Sequence, residues 1–458
     1  MHKTFLCVAL GAALAAGGCA ATGGGELRRL ARALEASEPP APTAPPFAGA
    51  DRLERRALVE EVLRRNPSLA AARFAWRAAL ARPPQEGALD DPTLGYALAP
   101  LTIGSQRVMQ EAHQFALRQP LPFPGRRSLR AAAATAEAEA AGHEYAAARL
   151  NLAAAASRLY DDWWLLAREA EINRAHLELV GTLRAIARAR YESGAGEQQD
   201  LLRAELEETM LLHRDVELAA SRREVAFRLA ALLHERDPAF LPEPAPFVPA
   251  TADPDVPLDD ALAARPELRA AEARVDARAH AEQLARLAWW PDVVVSAGYD
   301  RTEDQSDMRP MIGIELDLPL QVARRRAALA EARAELERAR AERDGLAADA
   351  AAEIATARER LAEARHLLAL VRERTLPAAR DQLAAARIAF ETGRTSFADL
   401  VDAERMLREA ELAEAQALAE TSRRAAALAA AQGRLPGLDA SATALPAPDG
   451  APGAHDHD

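Results

Sequence analysis

The chain has 458 residues, of which 49% are hydrophobic and 4% aromatic, and its formal net charge is −12. This acidic balance argues against a nucleic-acid partner, because binding to phosphates requires a surplus of basic side chains. The low aromatic content argues against thick globular cores, while the abundance of alanine, leucine, glutamate and arginine favours long helices.

Residues 1–18 form a predicted secretory signal peptide, with a basic start and an apolar run over 5–16 that is too short to span a membrane. The run is followed by the sequence Gly-Gly-Cys at 17–19, and small residues before a cysteine resemble the lipobox of bacterial lipoproteins. The resemblance implies a covalent lipid on Cys19 as the only attached group and a lipidated linker over 19–50. An ordinary signal peptide with a chance cysteine is the alternative.

An internal repeat at an offset of 199 residues organises the rest of the chain. The paired segments are 66–69 with 265–268, 191–194 with 390–393, and 200–205 with 399–404. Two copies of one unit are therefore predicted over 51–236 and 257–433. A Pro-rich extended connector joins them over 237–256, and a disordered tail follows over 434–458.

Each unit has the same predicted order of elements. A helix of about thirty residues, 51–82 or 258–289, comes first, and two short alternating stretches follow it. A long helical stretch, about 126–190 or 324–391, then leads through a glycine-containing turn into a second helix. At about 1.5 Å per residue each long stretch spans on the order of 100 Å. Pro377 is predicted to kink or end a helical segment.

The alternating stretches predict four strands, at about 92–102, 108–119, 292–301 and 308–318. In Ile312–Leu318 apolar residues occupy every second position, and the acids Glu315 and Asp317 lie between them. Each strand has roughly the length that a tilted transmembrane strand needs. A soluble hairpin is the alternative for any one pair. Four strands cannot close a barrel, and lipid tolerates no open sheet edge, so three copies sharing twelve strands are expected.

At this point the chain resembles the TolC-like outer-membrane efflux factors, and within them the lipidated heavy-metal-efflux branch. Two helix–hairpin–helix–helix repeats are that family's plan, and residues 119–127, Gln-Pro-Leu-Pro-Phe-Pro-Gly-Arg-Arg, resemble the strand-to-helix exit of the metal-efflux branch. The resemblance implies a mainly α fold with a small transmembrane β part, in which a homotrimer builds a 12-stranded β-barrel and an α-helical barrel. The implied partners are a periplasmic adaptor, an inner-membrane resistance-nodulation-division pump and outer-membrane lipid.

The resemblance also assigns roles to the two helical turns, which correspond to the periplasmic tips that close the entrance and dock the adaptor in the family. The matching residues are Gly194, Asp200, Arg203, Gly393, Thr395, Asp399 and Asp402. Better-known members have an arginine where Thr395 stands, so one of their gating links is in doubt. An Arg203–Asp402 link between neighbouring hairpins is a further hypothesis. The alternatives are that the glycines only cap helices and the aspartates only favour helix starts.

No catalytic or nucleotide-binding motif is found, so no enzymatic activity is predicted. His455 and His457 in the tail are weak candidate metal ligands. The predicted function is a passive outer-membrane duct for efflux that reaches into the periplasm. The branch resemblance favours heavy-metal cations as cargo, and lumen-facing Glu315 and Asp317 would favour cations. The alternative is a periplasmic coiled-coil lipoprotein without a barrel. The sequence leaves open the cargo, the pump and the resting state of the entrance.

Overall fold

A computed structural model describes residues 24–39, 45–99, 112–238, 241–302 and 309–438. The elements are α1 (Gly24–Ala36), β1 (Arg52–Leu53), α2 (Arg55–Arg65), α3 (Pro67–Leu80), α4 (Arg82–Glu86), β2 (Thr93–Ala99), β3 (Ala112–Leu121), α5 (Arg126–Glu192), α6 (Gln198–Leu232), β4 (Glu243–Pro244), α7 (Leu258–Ala264), α8 (Pro266–Leu287), β5 (Asp292–Thr302), β6 (Arg309–Asp317), α9 (Val322–Leu370), a π-helical turn (Val371–Thr375), α10 (Leu376–Glu391) and α11 (Phe397–Ala431). No helix among these described residues is long and apolar enough to cross a membrane.

The predicted two-repeat, mainly helical fold is confirmed. Helix α6 begins and ends 199 residues before α11, and strand β2 begins 199 residues before β5. Helices α5 and α6 form one long hairpin, and α9, the π-turn, α10 and α11 form the other. The hairpins pack side by side, chiefly through α5 and α11. The predicted strands lie at these four places, although 100–111 and 303–308, which include the hairpin turns, fall outside the described residues.

The predicted opening helix of each repeat is wrong in one respect, because each is two helices rather than one. Asn66 and Arg265 adopt extended conformations with ψ of 122° and 121°, and the prolines that follow them begin α3 and α8. A proline has no N–H to donate and pushes the preceding residue out of the helical region, so the helix restarts at that point. Near Pro377 the helix does not stop, but the π-turn precedes α10.

One buried ion pair lies where the repeats and the connector meet. Arg55, at the start of α2, pairs with the fully buried Asp161 of α5 at 2.6 Å and donates to the hydroxyl of Ser422 on α11 at 3.0 Å. Burial raises the pKa of Asp161 despite the guanidinium beside it. The connector closes over this region through the parallel pair β1–β4 and a bond from the amide of Ala250 to Ser422. The ion pair thus joins both repeats to the connector.

Helix α1 lies in the predicted N-terminal linker and was not predicted. Its residues Leu30 and Ala33 are buried, and it packs against α3 and α5. Arg29 pairs with Glu139 of α5 at 3.5 Å. The linker is therefore in part a helix fastened along the first repeat.

Candidate functional site

The four long strands form one antiparallel sheet in the order β2-β3-β5-β6, so each repeat supplies one hairpin. Directly paired residues point to the same side of a sheet, and one side carries mainly large apolar residues. These residues, here called the apolar face, are Leu94, Tyr96, Leu98, Phe115, Leu117, Val293, Val295, Tyr299, Ile312, Ile314 and Leu316. Ile312 and Ile314 are 74% and 70% exposed. An apolar surface of this extent is unfavourable in water, so we expect another apolar surface to cover it.

The opposite side, here called the polar face, carries small and charged residues. It includes Gly95, Ala116, Arg118, Asp292, Val294, Ser296, Gly298, Met311, Gly313, Glu315 and Asp317. The structure therefore places the predicted acids Glu315 and Asp317 together on the side away from the apolar face. Sequence reasoning missed Arg118, whose Nε lies 3.8 Å from a carboxylate oxygen of Glu315.

The passage from sheet to helix is built around Arg126. Gly125 has φ of +94°, which favours glycine, and it ends the strand-to-helix turn. The guanidinium of Arg126 contacts Asp292 and donates to the carbonyls of Leu287 and Trp290 at 3.0 and 2.9 Å. Because these bonds tie the start of α5 to the start of β5, the sheet has a fixed orientation relative to the helices. Trp290, next to this turn, is 56% exposed.

Each helical hairpin tip turns through a glycine in the left-handed region. Gly194 has φ of +73° and Gly393 has φ of +69°. After them, the amides of Ala195 and Arg394 donate to carbonyls five residues earlier, which closes the ends of α5 and α10. The glycines therefore cap helices, as the alternative interpretation had it. This role is compatible with docking and neither supports nor excludes it.

Ser396 and Asp399 form a capping box at the second tip, and Thr395 adds a bond to it. The amide of Asp399 donates to the hydroxyl oxygen of Ser396 at 3.1 Å, and the amide of Ser396 donates to the Asp399 carboxylate at 3.1 Å. The hydroxyl of Thr395 donates to the same carboxylate at 2.6 Å. The hydrogen bonds from Thr395 and Ser396 lower the pKa of Asp399. Asp200 lies in the first turn of α6, but there the N-cap residue makes no side-chain bond.

The remaining two tip residues are not joined within one chain. Asp402 lies 4.0 Å from Arg405 of its own helix, and Arg203 contributes through its charge to the low pKa of Asp399. An Arg203–Asp402 link was predicted between neighbouring hairpins, so its formation between copies stays a prediction. Within the chain the two tips are held together by an apolar cluster in which Leu183 and Ala204 of the first hairpin pack with Phe397 of the second. The guanidinium of Arg190 also lies over the ring of Phe390, 4.8 Å from its centroid.

A buried polar seam, which sequence reasoning missed, runs between α5, α6 and α11. Its residues are Glu169, His176, Glu207, Arg214, Glu404, Arg405, Arg408, Glu411 and Gln416. Burial opposes ionisation of Glu207, but hydrogen bonds and charges from Arg405 and Arg408 outweigh it, so its pKa lies below the ordinary value. Several of these residues recur at spacings of three and four, which was the available signal. The seam joins the two hairpins above their tips.

The structure shows no cluster of three or more metal-ligating side chains among the described residues. His455 and His457 lie outside these residues, as does Cys19.

Comparison with known proteins agrees with this architecture. The sequence model of one family, described as outer membrane efflux protein, matches residues 58–233 and 258–434 and so covers both repeats. No curated protein sequence matches significantly.

Solved structures with the same fold include three channel proteins. The outer-membrane channel OprN has 22% identity and a TM-score of 0.72, over 88% of this chain and 95% of its own. CusC has 17% identity and a TM-score of 0.73, and the match covers 86% of this chain and 98% of CusC. VceC from Vibrio cholerae has 21% identity and a TM-score of 0.71, over 83% and 96%. At such identities the likeness shows the fold alone.

Proposed function

The chain belongs to the outer membrane efflux protein family, and from this premise we propose that it is the passive duct of a tripartite efflux system. Three copies share one barrel in the outer membrane and one helical tunnel in the periplasm. The observation that carries the proposal is the apolar face, which spans a sheet with two unpaired edges and is exposed on β2, β3 and β6. Helix α5 alone has 67 residues, which corresponds to roughly 100 Å of tunnel wall.

Barrel closure follows from the strand directions. All three pairings in the sheet are antiparallel, so the edge strands β2 and β6 run in opposite directions. Strand β6 of one copy can therefore pair antiparallel with β2 of the next copy, without a change of pattern. Since lipid leaves no edge unpaired and eight strands leave no open lumen, three copies are the smallest ring that provides a duct.

The repeat supports the same assembly in the tunnel. Val401 and Ala415 of α11 are buried within the chain. Their equivalents on α6, 199 residues earlier, are Leu202 and Val216, which are 56% and 68% exposed. In α11 this face is covered by α5, whose repeat equivalent is α9–α10. The α9–α10 segment of a neighbouring copy would cover α6 in the same way.

Helix α1 supports a lipid anchor at Cys19. Arg29 contacts Glu139, which lies about 20 Å along α5 from its start at the sheet. Ala33 packs with Tyr145, further from the sheet, so the start of α1 points toward the membrane. About 12 Å then separate the start of α1 from the sheet end of α5. The five residues from Cys19 to α1 extend to roughly 17 Å, which is enough to place an acyl chain in the adjacent leaflet.

We further propose that the two tips dock a periplasmic adaptor, which connects the duct to a resistance-nodulation-division pump in the inner membrane. The family resemblance supports this, together with the packing of both tips against each other through Leu183, Ala204 and Phe397. Heavy-metal cations are the proposed cargo, on the resemblance of residues 119–127 to the exits of the metal-efflux branch. The competing interpretation, a coiled-coil lipoprotein without a barrel, gives no reason for the apolar face.

The assembly is tested by two arginine substitutions at neighbouring positions. Ile314→Arg places a charge on the apolar face. Near the bilayer centre such a charge should destabilise the membrane-inserted barrel by roughly 2–4 kcal/mol per chain. Glu315→Arg places the same side chain on the polar face. We expect the wild type and Glu315→Arg to be detergent-extracted trimers that conduct ions in planar bilayers, while Ile314→Arg fails to assemble. A wild-type monomer released by salt alone would contradict the duct.

The cargo is tested separately by deleting the gene in its own bacterium. We expect increased sensitivity to copper, zinc or cadmium salts and unchanged sensitivity to organic drugs, with complementation by the intact gene as control. The opposite pattern would assign the duct to drug efflux and would leave the assembly argument intact.

A further inference from the structure

The charge of the barrel lumen depends on which acids of the polar face lack a partner. This inference rests on the proposed function, because only a closed barrel turns the polar face toward a lumen. Taken alone, Glu315 and Asp317 would give the lumen two negative charges per chain. The ion pairs of the structure change that number.

Arg118 reaches Glu315 across an intervening strand. Arg118 lies on β3 and Glu315 on β6, with β5 between them. In register Arg118 is opposite Ser296, and Ser296 is opposite Gly313. The Ser296 hydroxyl occupies the space above Gly313, where an added Cβ would lie only 2.5 Å from it. Because the residues between are small, the two long side chains meet along the wall, with Nε 3.8 Å from the carboxylate.

A second acid at the helical end of the sheet is also paired. Asp292 contacts Arg126 and accepts a bond from the amide of Phe123 at 2.7 Å. Its register partner on β6 is Asp317. Within the described part of the chain no arginine pairs with Asp317. Among the acids of the polar face whose side chains the structure describes, Asp317 is thus the one without a paired cation.

We propose that Arg118 is a specificity-determining residue of the duct. It cancels the charge of Glu315, so of the two acids Glu315 and Asp317 only the ring of three Asp317 carboxylates contributes to a cation preference of the barrel. Removing Arg118 exposes a second acidic ring, and removing Glu315 exposes a basic ring in its place.

The test measures the cation-to-anion permeability ratio of purified trimers in planar bilayers across a KCl gradient. Three unit charges roughly 10 Å from the axis, at 0.1 M salt, change this ratio about two- to fivefold. We expect Arg118→Gln to raise the ratio and Glu315→Gln to lower it by such a factor. The double variant should return to the wild-type ratio, and Arg118→Lys, which keeps the charge, should not change it. Asp317→Asn should lower the ratio.

The outcomes separate the two proposals. Conducting trimers whose ratio does not change with Arg118→Gln would overturn this inference while leaving the duct in place. The inference would also be overturned if the permeability ratio of the double variant differed from that of the wild type. Absence of wild-type channels would overturn the duct and, with it, this inference.

Discussion

His176 of α5 lies between two carboxylates of α11, and its substitution should loosen one hairpin from the other. Its Nδ1 contacts Glu404, and its Nε2 lies 3.0 Å from Glu411. Only the imidazolium form donates from both ring nitrogens. Both contacts together therefore require the protonated ring.

The expected magnitude follows from burial. The side chain of His176 is 5% exposed and that of Glu404 is fully buried. The second carboxylate oxygen of Glu404 has no hydrogen-bond partner among the described residues. His176→Gln removes the only cation that contacts Glu404 in the described chain, and leaving a buried charge unpaired costs about 3–5 kcal/mol. Arg405 and Arg408, the nearest other cations of the seam, are bound to Glu207.

The pH dependence has a definite sign. Burial lowers the pKa of His176, but hydrogen bonds and charges from Glu404 and Glu411 outweigh it and hold the pKa above its ordinary value. A group with a raised folded-state pKa contributes its stability fully below the unfolded value, about 6.5, and loses it as pH rises through the folded value. The contact between the hairpins should therefore be firm at pH 6 and weaken toward alkaline pH.

Hydrogen exchange of α11 measures this contact in the detergent-solubilised protein. After correction for intrinsic exchange, wild-type protection near Glu404 should fall between pH 6 and pH 9. His176→Gln should lower protection at pH 6 by roughly a hundredfold or more and remove the pH dependence. His213→Gln, at a 76% exposed histidine of α6, is the matched control and should behave as wild type. A variant at His176 with the wild-type pH profile would refute the reasoning.

Three further substitutions test the fold around the site. Ser396→Ala removes the helix cap at the second tip and should cost about 1 kcal/mol, seen as faster exchange at the start of α11 alone; equal change in α6 would contradict it. Gly393→Ala should lower the unfolding temperature, because φ is +69° and an L-residue there costs roughly 1–2 kcal/mol, whereas Gly345→Ala, in open space on a helix, should raise it. Arg55→Met leaves Asp161 buried without a cation and should cost about 3–5 kcal/mol in chemical unfolding; a loss below about 1 kcal/mol would show that the pair contributes little.

The elements that the sequence predicts are those with local signals. Period-two alternation locates the strands, and the 199-residue offset locates both tips. The helix breaks at Pro67 and Pro266 also have a local signal, because a residue before proline avoids the helical region. The two prolines served above only to align the repeats. Helix α1 carries leucines at 27, 30 and 34, the spacing of one helical face, inside a segment taken as a linker.

The pairs that set charge and docking were beyond local patterns. His176 and Glu404 are 228 residues apart, and Arg118 meets Glu315 only because two hairpins from different repeats pair through β3 and β5. Their identification requires strand register and helix rotation, which no single segment encodes. Thr395 is a further example, because the bond from its hydroxyl to the Asp399 carboxylate depends on the conformation of the turn between them.

The repeat also predicts where the histidine contact is absent. The equivalent of His176 in the second repeat is Thr375, and the equivalent of Glu411 in the first is Leu212, which is 51% exposed. In the proposed trimer, the contacts within each chain thus include a histidine between two carboxylates, whereas the equivalent positions between copies, Thr375, Glu205 and Leu212, include no histidine. Alkaline pH should therefore loosen α11 without separating the copies. Native mass measurement at pH 9 should still give a trimer while exchange of α11 has risen, and dissociation under those conditions would show that the copies are joined by titrating contacts instead.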